Sequence, residues 1–167
     1  MTFPSIRFNG IFINGNWTVI MKVDDINIRI IQHLRDGRKS FKKIAEDLQL
    51  TENTVRARVK KLCDEGVLEI TGLVDPSSIA HHQMMIMGVK LNSTDLFAGG
   101  EAFSRLRGVV RVSVVTGRYD LMVEVLFNDS FGLPEFYNEE VPRVSGVLSL
   151  ETFVVYKGYN VKVPYIL

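Results

Sequence analysis

Residues 40–66 (SFKKIAEDLQLTENTVRARVKKLCDEG) constrain the fold more than any other stretch, because they read as two short helices joined by a tight turn. Ser40 can cap the first helix by accepting a bond from an otherwise unpaired amide. Phe41, Ile44, Ala45 and Leu48 then fall at i, i+3, i+4 and i+7, one apolar stripe facing a small core. Gln49 and Leu50 make the turn, and Thr51 has the side chain to cap the second helix. That helix turns Val55, Val59 and Leu62 inward and ends at Gly66, a residue suited to a left-handed helix terminus. At about 100° per residue, Asn53, Arg56, Ala57 and Lys60 point the other way, with Thr54 and Lys61 on the flank. A helix with a small, amide and cationic outer face, presented by a short turn, is built to enter the major groove of DNA. The candidate DNA contacts are Ser40, Thr51, Asn53, Thr54, Arg56, Ala57, Arg58, Lys60 and Lys61.

The charge distribution agrees. Between Arg35 and Lys61 there are nine basic and four acidic residues, a local balance of +5 in a chain whose total is only +1. Such a concentration suits a polyanion, whose condensed counterions it displaces. A solvated face of ordinary surface lysines is the competing reading of the charge alone.

The 167 residues can hold one domain or two small ones. Cys63 is the only cysteine, so no internal disulfide can form and a reducing compartment is expected. There is no run of 18 apolar residues and no basic start followed by an apolar core, so neither a spanning helix nor a secretory signal is read, and a cytoplasmic location is expected.

Residues 1–22 stand apart as an N-terminal extension, with Asn-Gly at 9–10 and 14–15 suggesting a small hairpin; a natural start at Met21 is the alternative. Asp24 or Asp25 caps a helix over 26–34, whose Ile30, Ile31 and Leu34 close a three-helix core. Residues 67–76 read as a strand stopped by Pro76, which places a helical domain at 23–75 and a linker at 76–83. The linker's His81 and His82 lack partners at ligand spacing, and no metal or other cofactor is expected.

Residues 84–167 alternate strand, helix, strand, strand, helix, strand. The strands fall at 84–91, 109–116, 121–127 and 147–156, with helices at 95–107 (weakened by Gly99 and Gly100) and 133–141. Val110, Val112 and Val114 are expected on one face. This is the ferredoxin-like order, whose uncovered sheet face favours a second copy of the chain. Residues 159–167 alternate enough to pair with that partner.

Taken together, Asp24, Ile30, Leu34, Gly37-Arg38, Ile44-Ala45, Leu50-Thr51, Val55, Arg58-Val59, Leu62 and 66–68 resemble the helix-turn-helix of the Lrp/AsnC (feast/famine) regulators. Asp75-Pro76 sits at that family's hinge, and residues 115–120 (VTGRYD) resemble its V-T-G-x-Y-D turn. The resemblance spans about residues 23–156. It implies an α+β chain with an N-terminal (winged) helix-turn-helix domain and a C-terminal ferredoxin-like βαββαβ (RAM/ACT-like) domain. It also implies double-stranded DNA as partner, homodimers growing to tetramers or octamers, and sensing of an amino-acid-like effector. Its effector site carries over to Gly117, Arg118, Tyr119 and Asp120, with Thr152 from a neighbouring subunit. Amides near Gly117 and Arg118 suit a carboxylate, and Asp120 suits an ammonium; a plain hairpin turn explains the same residues. Two departures stand out: Gln49 occupies the turn position usually held by glycine, and Asn27 replaces an acidic residue, a change expected to touch local capping only.

An enzyme is the rival from another class, since siroheme decarboxylases share the architecture. They are histidine-rich in the sheet domain, whereas this chain has no histidine after His82, and no nucleophile–base pair or carboxylate dyad is evident. No catalytic residue is therefore assigned. A ligand-binding module without DNA contact is the third reading, and the cationic face of the second helix opposes it.

Overall fold

The computed structural model describes residues 11–13, 16–18 and 23–167. Of the extension, only the backbone pairing of β1 (Ile11–Ile13) with β2 (Asn16–Thr18) is described, an antiparallel hairpin; the rest of 1–22 lies outside the described residues. The chain divides into two compact units, Met1–Thr71 and Gly72–Leu167.

In the first unit, α1 (Asp25–Leu34), α2 (Phe41–Leu48) and α3 (Glu52–Asp64) follow the expected order. All three start on a side-chain cap: Asp24 accepts from the Asn27 amide, Ser40 from Lys43 and Thr51 from Thr54. Each cap satisfies one of the amides that a helix start leaves unpaired. Ile30, Ile44, Ala45, Leu48, Val55 and Val59 form one buried cluster, with Ile26, Leu34, Phe41, Leu50 and Leu68 packed around it. Gly66 adopts φ +67 and ends α3.

The expected strand over 67–76 shortens to β3 (Leu73–Val74). The amides of Val67 and Leu68 both donate to the Leu62 carbonyl, at 2.9 and 3.1 Å, and so finish α3 instead of entering a ladder. No strand follows α3 within the helical unit among the described residues, so the expected wing is not formed there. β3 pairs with β8 (Val163–Pro164), which moves the break between units to Thr71/Gly72 and gives the C-terminal segment a partner in its own chain.

The second unit carries β4 (Gln83–Leu91), α4 (Leu96–Ser104), β5 (Val109–Val114), β6 (Leu121–Phe127), α5 (Leu133–Glu135) and β7 (Val147–Val154). The antiparallel sheet runs β5-β6-β4-β7, the ferredoxin-like arrangement. Its helix-side core joins Met87, Val89, Leu121, Val123 and Val125 to Phe103, Phe131 and Phe136.

Three local features refine the expectation. A bulge between Val109 and Arg111 separates Val110, which packs near Met84 and Leu126, from Val112 and Val114, which meet α4. A Cβ at Gly99 would sit 2.4 Å from Leu91 Cδ1, so the residue lets α4 approach the sheet, and the helix ends at Ser104, short of the expected 107. The expected helix over 133–141 continues past α5 as a π turn (Phe136–Glu140) and a 3-10 turn (Val141–Arg143). Pro142 lacks the amide needed to extend a regular ladder. The wide turn buries both Phe136 and Glu140, whose carboxylate accepts from the Arg107 amide (3.2 Å) and the Arg143 guanidinium (3.1 Å).

Candidate DNA-reading helix and effector turn

The tight turn forms because Gln49 takes the left-handed conformation (φ 57°, ψ 41°) that glycine usually supplies, while its amide donates to Ala45 and Glu46. Leu50 donates to the Ala45 carbonyl at 2.8 Å and tucks into the core. With Val55, Val59 and Leu62 buried on one side of α3, Asn53, Arg56, Ala57 and Lys60 are exposed on the other.

The cations of this face are held by acids one turn away. Arg56 pairs with Glu52 at 2.7 Å and lies over the Phe41 ring, Lys60 pairs with Asp64 at 2.5 Å, and Lys61 with Glu65 at 3.8 Å. Exposed pairs of this kind contribute little to stability, so a phosphate or base edge can displace them. Asp64 holds the Lys60 pKa above its ordinary value through their hydrogen bond. Thr54 is half-buried and shares a 2.8 Å hydroxyl bond with Thr51, so both serve the cap. Ser40 does the same for α2.

Arg58 is placed differently from the other candidates. Its guanidinium donates to Asp24 (2.7 Å) and to the Asn27 side-chain oxygen (2.9 Å), clamping α3 to α1. It is therefore a bridge between helices and not part of the outer face. Asn27 does more than local capping, since it supplies one jaw of that clamp. The hydrogen bond from Arg58, followed by that from the Asn27 amide, holds the Asp24 carboxyl below its usual range. Lys39 is also committed, to Asp47 (2.7 Å) and to His33 Nδ1 (2.7 Å). Arg35, Arg38 and Lys42 form no ion pair among the described residues.

At the second candidate site the VTGRYD segment closes through the Val115 amide on the Asp120 carbonyl and the Asp120 amide on Val89, both 2.9 Å. Gly117 adopts φ +127, where side chains are strained, and faces open space. Asp120 is not open to an ammonium. One carboxylate oxygen takes Lys90 Nζ at 2.7 Å, the other the Leu91 amide at 2.8 Å, and the side chain is only 14% exposed. The Lys90 bond first, then the Leu91 amide, holds its pKa below the usual carboxylate value.

Glu151, which the sequence reading missed, faces the turn instead. It accepts from the Tyr119 hydroxyl and pairs with Arg118 at 3.1 Å; that hydroxyl bond raises the Tyr119 pKa. The Tyr119 ring lies over Gly88, where a Cβ would stand 2.7 Å from three ring carbons, and meets Phe153 edge-on. Thr152 is not brought to this group within the chain. It pairs in register with the core residue Met87, on the helix side of the sheet, and shares a 3.0 Å bond with Tyr137. Register across β4 and β7 alone would have revealed Glu151.

Asp120 gives a pH-dependent expectation. Its folded pKa is depressed, so its stabilising contribution is complete above the ordinary carboxylate range and is lost as pH falls through the folded value. Asp120→Asn retains an acceptor for Leu91 but loses the Lys90 ion pair. The variant is expected to melt below wild type at pH 7, and the gap to narrow on acidification. Parallel melting curves from pH 7 to pH 3 check this.

The family model of the AsnC-type helix-turn-helix domain matches residues 23–62, and that of the Lrp/AsnC ligand-binding domain matches residues 84–162. An HTH-type transcriptional regulator of Pyrococcus horikoshii is 30% identical over 78% of this chain and 85% of its own length. The regulator FL11 of the same organism is 26% identical over 83% of this chain and 92% of its own. Among solved structures, Escherichia coli AsnC has a TM-score of 0.61 at 19% identity, covering 81% of this chain and 93% of that one. A Neisseria meningitidis transcriptional regulator in complex with L-methionine also has a TM-score of 0.61, at 22% identity, covering 86% and 95%. No helix among the described residues is long and apolar enough to cross a membrane, and no group of three metal-ligating side chains occurs among them. With matched domains in the same order as the two folded units, the chain belongs to the Lrp/AsnC family of helix-turn-helix transcriptional regulators.

Proposed function

We propose that two copies of this regulator present α3 to successive major-groove faces of a two-fold operator, and that an amino acid or a related zwitterion modulates the complex. The observation that supports this best is the outer face of α3: Asn53, Arg56, Ala57 and Lys60 are exposed together, backed by a buried Val55, Val59 and Leu62. Arg56 is the candidate for bidentate base contact, Asn53 for an adenine edge, and Ala57 leaves room for the groove floor. Lys60, Lys61 and the unpaired Lys42 serve phosphates, and Ser40 and Thr51 hold the helix starts.

The sheet supplies the partner surface. Core residues such as Met87 alternate with Ile86, which lies beside Phe153 on the other face; part of that face, around Met84 and Leu126, is covered by Val161 and Val163. A homodimer through this face, growing to a tetramer or octamer, follows the apolar exposure of Phe153 (39%). At the turn, the amides of Gly117 and Arg118 and the Arg118 guanidinium suit a carboxylate, while Glu151 takes the ammonium role that Asp120 cannot fill. Thr152 lies on the helix side of the sheet, bonded to Tyr137, and is left out of this ligand set. The methionine bound by the Neisseria protein is consistent with a ligand of this size. We assign no catalytic step, and the cytoplasm is the compartment in which such a regulator meets its DNA.

Arg56→Ala is expected to weaken operator binding by about 1–3 kcal/mol and to relax specificity at one position. Lys60→Ala is expected to weaken binding uniformly and lower the salt slope by about one. Titration of selected genomic fragments at several salt concentrations measures both. Wild-type affinity in both variants would remove α3 from the interface. Footprints should repeat about every 34 Å, one turn of the duplex, and a monomer by sedimentation of the full chain would overturn the two-fold arrangement.

A further inference from the structure

A cavity of about 560 Å³ opens at the far end of the sheet from the VTGRYD turn. It lies by Gln83–Met85, whereas the turn bonds to Val89. Along a strand this separates the two by about 13–20 Å. Its walls come from three segments: the linker after Asp75, the β6–α5 connection, and the chain after β7. The volume lies in the range of small-molecule pockets, roughly 300–1,000 Å³. Met85, Phe127, Leu133, Val155 and Val161 make the lining largely apolar.

The polar groups around it sort into committed and available. Asp75 accepts from both the amide (2.9 Å) and the hydroxyl (2.7 Å) of Ser77. His82 is held between the Ala80 carbonyl (2.8 Å) and the Tyr165 hydroxyl (3.2 Å). Lys157, whose Nζ also lies 5.9 Å from the centroid of the Tyr159 ring, and Asp129 remain, one of each sign on different walls. Lys157 forms no ion pair among the described residues, and Asp129 (74% exposed) has only His81 at 3.4 Å. Tyr156 also lines the cavity and is 100% exposed, an aromatic ring with nothing packed against it.

We infer that this cavity is a second ligand site, selective for a zwitterion with a bulky apolar side chain, of which aromatic α-amino acids are the simplest. Lys157 receives the carboxylate and Asp129 the ammonium. The side chain enters between Leu133 and Val161, and the Tyr156 ring covers it. Because Asp75 and Gln83 bound the cavity, a ligand there touches both ends of the linker segment that leads into the sheet. The inference rests on the reading of that unit as a small-molecule sensor, but it places a ligand away from the turn.

The test is calorimetric titration of the full-length protein with phenylalanine, tryptophan, leucine, methionine and glycine, using wild type, Lys157→Ala, Tyr156→Ala, Leu133→Trp and Arg118→Ala. Phenylalanine or tryptophan is expected to bind wild type more tightly than glycine. Loss of the charge-assisted contact in Lys157→Ala is expected to weaken binding by about ten- to a hundredfold, and the filled cavity of Leu133→Trp to abolish it. Arg118→Ala leaves this event intact. Lys157 and Tyr156 are exposed, so their variants keep the test valid if Leu133→Trp fails to fold. Binding lost in Arg118→Ala but unchanged in Lys157→Ala and Tyr156→Ala would overturn the cavity assignment and leave amino-acid sensing at the turn. Binding of none of the five would overturn both ligand assignments, while operator titration would still report separately on α3.

Discussion

Truncating Ile44 to alanine is expected to destabilise the helical unit by about 2–5 kcal/mol and to abolish operator binding while the sheet stays folded. Ile44 is fully buried, between Ile30 of α1 and the Val55 side of α3. Three short helices supply little apolar surface, so one lost side chain is a large share of what holds them. The turn that aims α3 hangs from this cluster through Leu50 and Ala45. Hydrogen exchange should show early opening of α1 to α3, with β4 and β6 still protected. Simultaneous loss of protection in both units would show that they fold as one.

Phe136→Ala is expected to cost the sheet unit about 3–5 kcal/mol and to dissolve any assembly built on it. The Phe136 ring meets Phe127 and Phe131 edge-on, with centroids 5.9 and 6.3 Å away. It is fully buried at the start of the π turn, its amide donating to the Gly132 carbonyl at 3.1 Å. Denaturant melts read by far-ultraviolet dichroism, alongside sedimentation, check both effects. A variant with wild-type midpoint would mean the π turn can close over the void.

What could be read from the sequence was what is local. Caps and stripes depend on residues three or four apart, so Ser40, Thr51, Ile44, Val55 and Val59 were legible. The order of strands and helices followed from periodicity and from the resemblance. The misses at the two candidate sites share one cause, which is dependence on partners distant in sequence. Arg58 reads as part of a basic run until Asp24, 34 residues earlier, is seen to hold it. Asp120 looks like a free carboxylate until the register of β4 delivers Lys90 and the Leu91 amide. Glu151 is one residue from the expected Thr152, but alternation along β7 puts the two on opposite faces. The bulge at Val110 likewise breaks an alternation that the valines alone suggested.

The carboxylates Glu52, Asp64 and Glu65 have a consequence for selectivity. Each is a weak, tethered rival to the nucleic acid in the proposed complex. In that complex, a random phosphate must displace these acids before it reaches Arg56 or Lys60. A correct base edge offers Arg56 two aligned acceptors, which a single displaced carboxylate oxygen does not equal. If α3 reads DNA as proposed, the acids along it raise the threshold for docking more for the wrong sequence than for the right one.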